Sequence, residues 1–529
     1  MSKARNARIG VAAFFLLLTV IGMFTLRDYT GSYDQSVQRY ILKVNLHEYA
    51  TLLGMDGQNP LWEGLPAIRD FVERDHGISP MYVCAPFLSM MESSSYTGSL
   101  IWCGIVWLWF MAGVLALYML ARRLGSGRLL SCGAALLLYL SPQFFAHAHF
   151  NDKDIVLLSL TLLCLWQGSR FLEKMTWKRA IPFAFFGAMA ANMRLVGAMA
   201  FFAVGLCCVL WVTLRREWSP RRLGLAAVTV VIFLGFYALL TPDFLRDPVG
   251  SIAYRVGNTQ VFSRWEGTIW FRNASFKIPE QPLPRYYLLY MILVTVPLLV
   301  PVLMLIGCGF ALKSCIQTHL TVLRDPAFMT LCAGFLCFLV PVAAFTVLQP
   351  MIYSGWRHFY FAYSGMLIPA AYGMGQIRQS LATTPARKGL LGGLLAINLA
   401  ACALGIAMNH PNEACYYNAL AGQDIMETDY WNNSGTGALR RLLQDENRDT
   451  NLPLEVGCWF LDIQNSRFLM TEEERAAIQT TTAGDAPYLY YIEHYVQVYT
   501  IEKPVGYHEL FTVESYGRKV ATMYERDAE

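Results

Sequence analysis

A polytopic α-helical membrane protein with a C-terminal α/β domain on its outer face is what this sequence predicts, from three observations. Hydrophobic residues fill 55% of the 529 positions and charged residues only 15%. With a mean hydropathy of +0.36, the chain is too apolar for an ordinary soluble enzyme. Apolar stretches of about 17–25 residues, long enough to cross hydrocarbon as a helix, recur along it. After Met408 the composition becomes polar, acid-rich and studded with tyrosine.

About eleven spans can be drawn, at 9–26, 99–121, 129–147, 155–171, 179–193, 195–214, 222–241, 286–312, 327–348, 360–377 and 389–408. The first follows the basic start Lys3, Arg5 and Arg8, lacks a small-residue cleavage site and runs into Arg27-Asp28-Tyr29. It reads as a retained signal anchor, not a cleaved signal peptide. Alternate loops hold Arg122/Arg123/Arg128, Arg170/Lys174/Lys178/Arg179, Arg215/Arg216/Arg221/Arg222, Lys313/Arg324 and Arg378/Arg387/Lys388. The positive-inside rule then places the N-terminus in the cytoplasm and, after an odd number of spans, the C-terminus outside. The formal net charge of +4 hides this asymmetry, so it does not suggest nucleic acid as a partner.

Residues 1–409 therefore form the membrane domain, with long outer loops at 27–98 and 242–285, and 410–529 an extracytoplasmic α/β domain large enough to fold alone. The loop start Tyr33–Leu42 has the near-helical polar/apolar spacing of an interfacial amphipathic helix. In the outer domain, helices are expected at 434–446 and 471–479, the second headed by Thr471-Glu472-Glu473-Glu474. Strands are expected at 454–456, 488–492 and 510–513. Most of the 13 cysteines fall inside spans as small core residues. Cys84, Cys415 and Cys458 face the oxidising side, where one pair would be able to close a disulfide.

The run His147-Ala148-His149-Phe150-Asn151-Asp152-Lys153-Asp154 is the densest polar interruption of the membrane domain. Each charge costs about 2.5–3.5 kcal/mol at a bilayer centre on insertion scales, so the run belongs at an interface or in a polar cavity. His147 and His149, two apart, point to different faces of a helix, which argues against a joint metal site. No cofactor is called for; a divalent metal is compatible with the acids but not indicated. Short outer turns should be poor in Lys and Arg, yet Lys153, Arg194 and Arg357 all lie in them. Each alone is equally a snorkelling residue. Together with His358 they favour a bound anion, because Arg offers a fork for phosphate oxygens and Lys a point charge.

Asp34 lies just beyond the first span and Asp152 and Asp154 just beyond the third, so all three can reach one cavity at the outer surface. A carboxylate beside a substrate hydroxyl can act as general base. Asp34 is equally a solvated residue or helix cap, and Asp154 equally a cap for the fourth span. Trp265, Glu266 and Arg285 in the second outer segment are candidate substrate contacts, with interfacial anchoring as the bland reading of the tryptophan. Walker, dinucleotide, HExxH and GxSxG motifs do not occur. A transporter or flippase of a lipid-linked or anionic substrate is the competing reading, but it would carry its charges along a mid-membrane path. Charge gathered at one face and long outer loops fit interfacial catalysis better.

The acid in the first outer loop, the Asn151-Asp152-Lys153-Asp154 turn and the C-terminal outer domain together resemble the GT-C superfamily of polyprenyl-phosphate-sugar-dependent glycosyltransferases. The nearest resemblance is to glycosyltransferase family 39, the protein-mannosyltransferase-like group of bacteria. Ser141–His147, Leu283-Pro284-Arg285-Tyr286-Tyr287-Leu288, Gly355-Trp356-Arg357-His358-Phe359-Tyr360-Phe361 and Asp429-Tyr430-Trp431 are similar to stretches of that group. The resemblance implies a GT-C fold in a bacterial inner membrane of the cell envelope. It also implies a polyprenyl-phosphate-sugar donor entering from the bilayer, and an acceptor hydroxyl on a protein, glycolipid or glycan. Family members carry an aspartate in the first outer loop, often in an Asp-Glu pair. Asp34 matches the first position and Gln35 departs at the second. Asp152 or Asp154 matches the second outer-loop acid. On this comparison Asp34 takes the acceptor proton, while Arg194, Arg357, His358 and Lys153 face the departing phosphate, and a single in-line attack inverts the anomeric centre.

Overall fold

The computed structural model describes residues 2–29, 34–57, 59–91, 95–260, 265–381, 383–422, 424, 426–446, 448–458, 466–467, 470–482, 488–494 and 505–527. Helices occupy all eleven apolar stretches. The first is α1 (Ser2–Thr25), followed by α2 (Gln35–Leu52), α3 (Tyr96–Arg123), α4 (Arg128–Tyr139), α5 (Pro142–His147) and α6 (Asp154–Glu173). Then come α7 (Trp177–Met193), α8 (Ala198–Arg215), α9 (Pro220–Leu240), and the short α10 (Pro242–Arg246) and α11 (Pro248–Gln260). A hairpin, β1 (Gly267–Phe271) and β2 (Ala274–Ile278), leads to α12 (Tyr287–Thr295), α13 (Leu299–Gln317), α14 (Pro326–Leu348), α15 (Tyr363–Ser380) and α16 (Pro385–Asn409).

Among the described residues, eight helices are long and apolar enough to cross a membrane. The other stretches depart for local reasons. Pro142 divides 129–147 into α4 and α5, α7 carries Pro182, and α15 starts only after the 3-10 turn Arg357–Ala362. Within 286–312, Pro297 separates α12 from α13, and α13 alone is long enough to cross. The carbonyls this break frees do not go unmet: Asn418 donates from Nδ2 to Leu293 O and Val296 O at 2.7 and 2.8 Å. Helices α13 and α15 pack through small residues. A Cβ on Gly307 would sit 2.0 Å from Pro369 O, and one on Gly373 2.6 Å from Leu303 O, so α13 and α15 touch backbone to backbone.

The amphipathic helix expected at 33–42 is α2, which runs on to Leu52; Tyr33 itself lies outside the described residues. It buries Gln38, Ile41, Leu42 and Asn45, the spacing of one helical face. The hairpin was not anticipated. Its turn is Arg272-Asn273, both at positive φ (50° and 65°), and Asp424 accepts from Arg272 Nε at 3.2 Å and Asn273 Nδ2 at 3.1 Å.

Beyond α16 the chain forms α17 (Asn433–Gln444), β3 (Leu454–Cys458), α18 (Glu472–Ala477), β4 (Ile478–Thr482), β5 (Tyr490–His494), β6 (Tyr507–Ser515) and β7 (Arg518–Arg526). The strands lie in the order β4-β3-β5-β7-β6, parallel among the first three and antiparallel thereafter. Ala438, Leu439 and Leu442 of α17 pack on Val456, Ile492 and Met523 of the sheet in a core of their own. Thr471 and Glu474 close a capping box on α18. His410, held 3.1 Å from Asp28 and 2.9 Å from Glu413, and Tyr29, donating to Glu413 at 2.9 Å, tie this region to the end of α1.

All 13 cysteines are free, so no disulfide joins Cys84, Cys415 or Cys458. Each is buried in a different neighbourhood: Cys84 near Arg39, Cys415 near Glu413 and Asp429, and Cys458 in the sheet core.

Candidate active site

The site is built around the turn between α5 and α6. Asn151 accepts the Asp154 N–H on Oδ1 at 2.9 Å, and its Nδ2 donates to Asp154 Oδ2 at 3.2 Å, which fixes the turn and starts α6 with a carboxylate. Because α6 is buried along nearly its whole length, that carboxylate is delivered into the protein, not to lipid. Asp154 is only 1% exposed and meets Arg194 Nη2 at 2.9 Å and Arg357 Nη1 at 3.9 Å. Arg194 arrives from the extended residue that ends α7.

Arg357 opens the 3-10 turn before α15, after Ser354 and Gly355, both left-handed at φ 58° and 64°. Its guanidinium is 2% exposed and lies 3.5 Å from Asp34 Oδ2. The rings of Tyr353, Tyr430 and Trp431 close around it, at 4.8, 4.9 and 4.6 Å from ring centroid to Cζ. Trp265 stacks on Tyr353 at 4.5 Å and 8°. Arg194 Nε, Arg357 Nε and His358 Nδ1 are buried and, among the described residues, have no hydrogen-bond partner. Orphaned donors of this kind in a ring of cations suit an anion's oxygens.

The structure thus brings Asp34, Asp154, Arg194 and Arg357 into contact. Asp152 and Lys153 flank them. Asp152 accepts from Trp102 Nε1 at 2.8 Å, and burial pushes its carboxyl up to about 7. Lys153 Nζ lies 3.2 Å from His76 Nδ1, and burial lowers its pKa. His358 stands edge-on to Tyr353 at 4.8 Å. Burial first, then Arg194, Arg357 and Lys153, hold its imidazole well below its usual range. Neutral at pH 7, it offers a hydrogen bond and not a charge. Of the three candidate carboxylates, Asp34 is the accessible one, 27% exposed against 1% for Asp154. Asp34 precedes α2 but makes no side-chain cap bond to it.

Two other candidates stand elsewhere. Glu266 is exposed, and Arg285 is exposed and donates to Thr346 O at 3.3 Å. The histidines of the polar run serve the scaffold. His147 lies between Asn151 at 3.1 Å and Tyr360 at 3.3 Å, and His149 stacks on Tyr29 at 4.1 Å. Glu73, Asp75 and His76 offer ligand atoms within 4.8 Å of one another, the described group best arranged to hold a metal. The Lys153 ammonium beside His76 opposes a cation there in this arrangement.

Sequence reasoning missed Tyr353 and Glu427, and read Tyr430 and Trp431 only as a family-like stretch. Glu427 is buried, accepts the Gly355 N–H at 2.9 Å and so pins the left-handed turn that presents Arg357. Among the described residues its other oxygen has no partner, burial pushes its carboxyl up to about 7, and a cavity of about 40 Å³ adjoins it, lined also by His147, Tyr430 and Trp431. A cavity of that size and polarity is room for a water.

Residues 75–240 match the family model described as dolichyl-phosphate-mannose-protein mannosyltransferase. This segment contains Asp152, Lys153, Asp154 and Arg194 but neither Asp34 nor Arg357. Among solved structures, the crystal structure of ArnT from Cupriavidus metallidurans in the apo state is similar at 14% identity. The alignment covers 98% of each chain with a TM-score of 0.48. The same protein bound to undecaprenyl phosphate is similar at 15% identity, over 97% of this chain and 98% of that one, with a TM-score of 0.44. Likenesses so loose transfer no residue and no ligand. No curated protein matches the sequence.

Proposed function

We propose that the chain is a multi-pass membrane glycosyltransferase of the GT-C superfamily, which moves a sugar from a polyprenyl-phosphate carrier to an acceptor hydroxyl at the outer face; the match of residues 75–240 to the mannosyltransferase family model supports this reading. We place it in a bacterial inner membrane, its N-terminus in the cytoplasm and residues 410–529 outside. The observation that carries this reading is the balance of charge around Arg357. Lys153, Arg194 and Arg357 face Asp34, Asp152 and Asp154, and the donors of both arginines are left partly unused.

The acceptor oxygen attacks the anomeric carbon in line, so the configuration inverts. Its proton passes to Asp34, the accessible carboxylate. The bond from the anomeric carbon to the phosphate oxygen breaks, and its electron pair leaves with the polyprenyl phosphate, which gains a second negative charge. Protonation of Asp34 removes a negative charge from the cavity at that moment. The cavity thus turns more positive as the leaving group turns more negative, which is the condition for preorganised electrostatic stabilisation. Arg357 and Arg194 take the phosphate, Lys153 adds charge, and neutral His358 donates a hydrogen bond. Trp265, next to Tyr353, offers a ring face to the sugar.

The test supplies purified protein with a panel of radiolabelled polyprenyl-phosphate sugars and follows release of the lipid phosphate. Asp34→Asn should lower turnover by about 10²–10⁴-fold while donor binding persists. Turnover within a few-fold of wild type would remove Asp34 as the base. Movement of substrate across vesicles without transfer from any donor would replace the enzyme reading by a transporter.

A further inference from the structure

A second concentration of charge lies on the opposite, basic side of the membrane domain. A groove of about 1130 Å³ runs between the α6–α7 turn and the start of α9, lined by Arg170, Lys174, Lys178, Arg179, Arg221 and Arg222 with Glu217 as its one acid. The positive-inside rule accounts for cations on this side but not for their convergence. The neighbouring pocket is the control. There Arg122, Arg123 and Arg170 face Glu173 and Asp325, so charge is nearly balanced.

Within the groove, Arg179 is paired with Glu173 at 2.8 Å and Arg222 with Glu217. Among the described residues, Lys174 and Arg221 have no side-chain partner, and Lys178 lies only over the ring of Trp177, at 5.6 Å. All three are exposed, and among the described residues no ion pair of their own offsets the repulsion between them. Both α7 and α9 also begin here, and the positive ends of their dipoles add to the field.

The rest of the lining decides what kind of anion fits. Met175, Trp177, Leu225 and Val228 continue the groove on its apolar side. Below it α9 shows Val228, Val231, Leu234 and Leu239 outward, each between 47% and 66% exposed. A charged head with a hydrocarbon tail matches this surface, whereas a free phosphate would leave the apolar half unused. We propose that the groove binds the phosphate headgroup of an anionic diacyl phospholipid, with its acyl chains lying along α9.

The full-length protein in neutral detergent, titrated with phosphatidylglycerol, phosphatidylcholine, polyprenyl phosphate or inorganic phosphate, tests this by native mass spectrometry and thermal shift. Phosphatidylglycerol should bind at least about tenfold more tightly than phosphatidylcholine. Lys174→Ala/Lys178→Ala/Arg221→Ala should abolish that preference, whereas Arg128→Ala/Lys313→Ala/Lys388→Ala, which removes as many exposed cations elsewhere on the same side, should keep it. The proposal is overturned by equal binding of the two diacyl lipids, or by a groove variant that still prefers phosphatidylglycerol. Loss of the preference in the control variant would also overturn it. Binding of polyprenyl phosphate without phosphatidylglycerol, or a response to inorganic phosphate equal to that of the lipid, would assign the groove to a different anion.

Discussion

The groove around Lys174 gathers six cations and the cavity around Arg357 three, yet the two differ more in what surrounds each charge than in number. In the cavity the arginines are in contact with carboxylates, and Arg357 is stacked on three rings and is 2% exposed. In the groove the cations are exposed or half-buried and outnumber the two acids, Glu173 and Glu217, that pair with them. A solvated, unbalanced cluster attracts anions but holds none of them in one geometry, because water screens it and long side chains move. A dry, balanced cluster is costly to form but fixes each group, and small changes of charge within it are felt strongly. The first arrangement suits binding and the second suits chemistry.

Breaking the cavity's balance should have the largest effect. Arg357→Ala leaves Asp34 and Asp154 facing one fewer cation in a buried setting, where removal of one ion-pair partner costs about 3–5 kcal/mol. Sugar transfer should fall by about 10³-fold or more, and the thermal midpoint should drop as well. Arg357→Lys keeps the charge but loses the planar fork and the stacking, so it should recover stability better than turnover. Transfer by Arg357→Ala within tenfold of wild type would place the charge stabilisation elsewhere.

Removing one ring of the cage is the next test down. Trp431→Leu keeps an apolar side chain and the ion pairs but loses a cation–π contact worth about 0.5–2 kcal/mol. Turnover should drop by about tenfold with little change in KM, since the arginine is mispositioned and not lost. A change confined to KM would mean that Trp431 contacts substrate directly.

How much of this was legible in the sequence follows from the same contrast. Among the described residues, all eight helices long and apolar enough to cross a membrane lie on the apolar stretches read from the sequence, because lipid imposes length and composition regardless of neighbours. Lys153, Arg194 and Arg357 stood out as cations on the wrong side of a charge rule, and Asp34 through its place after the first span. The cage was not legible: Tyr353 and Trp431 are 78 positions apart in the sequence and are joined only by folding. Glu427 gave no signal, since its role is a hydrogen bond to a backbone N–H whose position depends on two left-handed residues. The hairpin at 267–278 escaped because its turn places Arg272, a residue that seldom takes positive φ, where glycine is the usual sign.

The two regions also contain carboxylates that should answer pH in opposite ways, and this is the smallest and sharpest test. Glu427 is pushed up to about 7 by burial, whereas Glu217 in the groove is held below its usual value by hydrogen bonds from Arg215 and Arg222. A carboxyl with a raised folded-state pKa favours folding in its neutral form. Its contribution is therefore complete below the unfolded value of about 4.3 and is lost as pH rises through about 7, on the order of 3 kcal/mol in all. Glu427→Gln keeps an acceptor for the Gly355 N–H and cannot ionise, so its thermal midpoint should decline less than that of wild type between pH 5 and 7.5. Glu217→Gln should leave that part of the profile unchanged, because a solvated carboxylate already ionised at pH 5 has little left to titrate. If Glu427→Gln followed the wild-type profile, the carboxylate behind Arg357 would be as open to water as the one in the groove, and the distinction between a dry cavity and a wet one would fail at that residue.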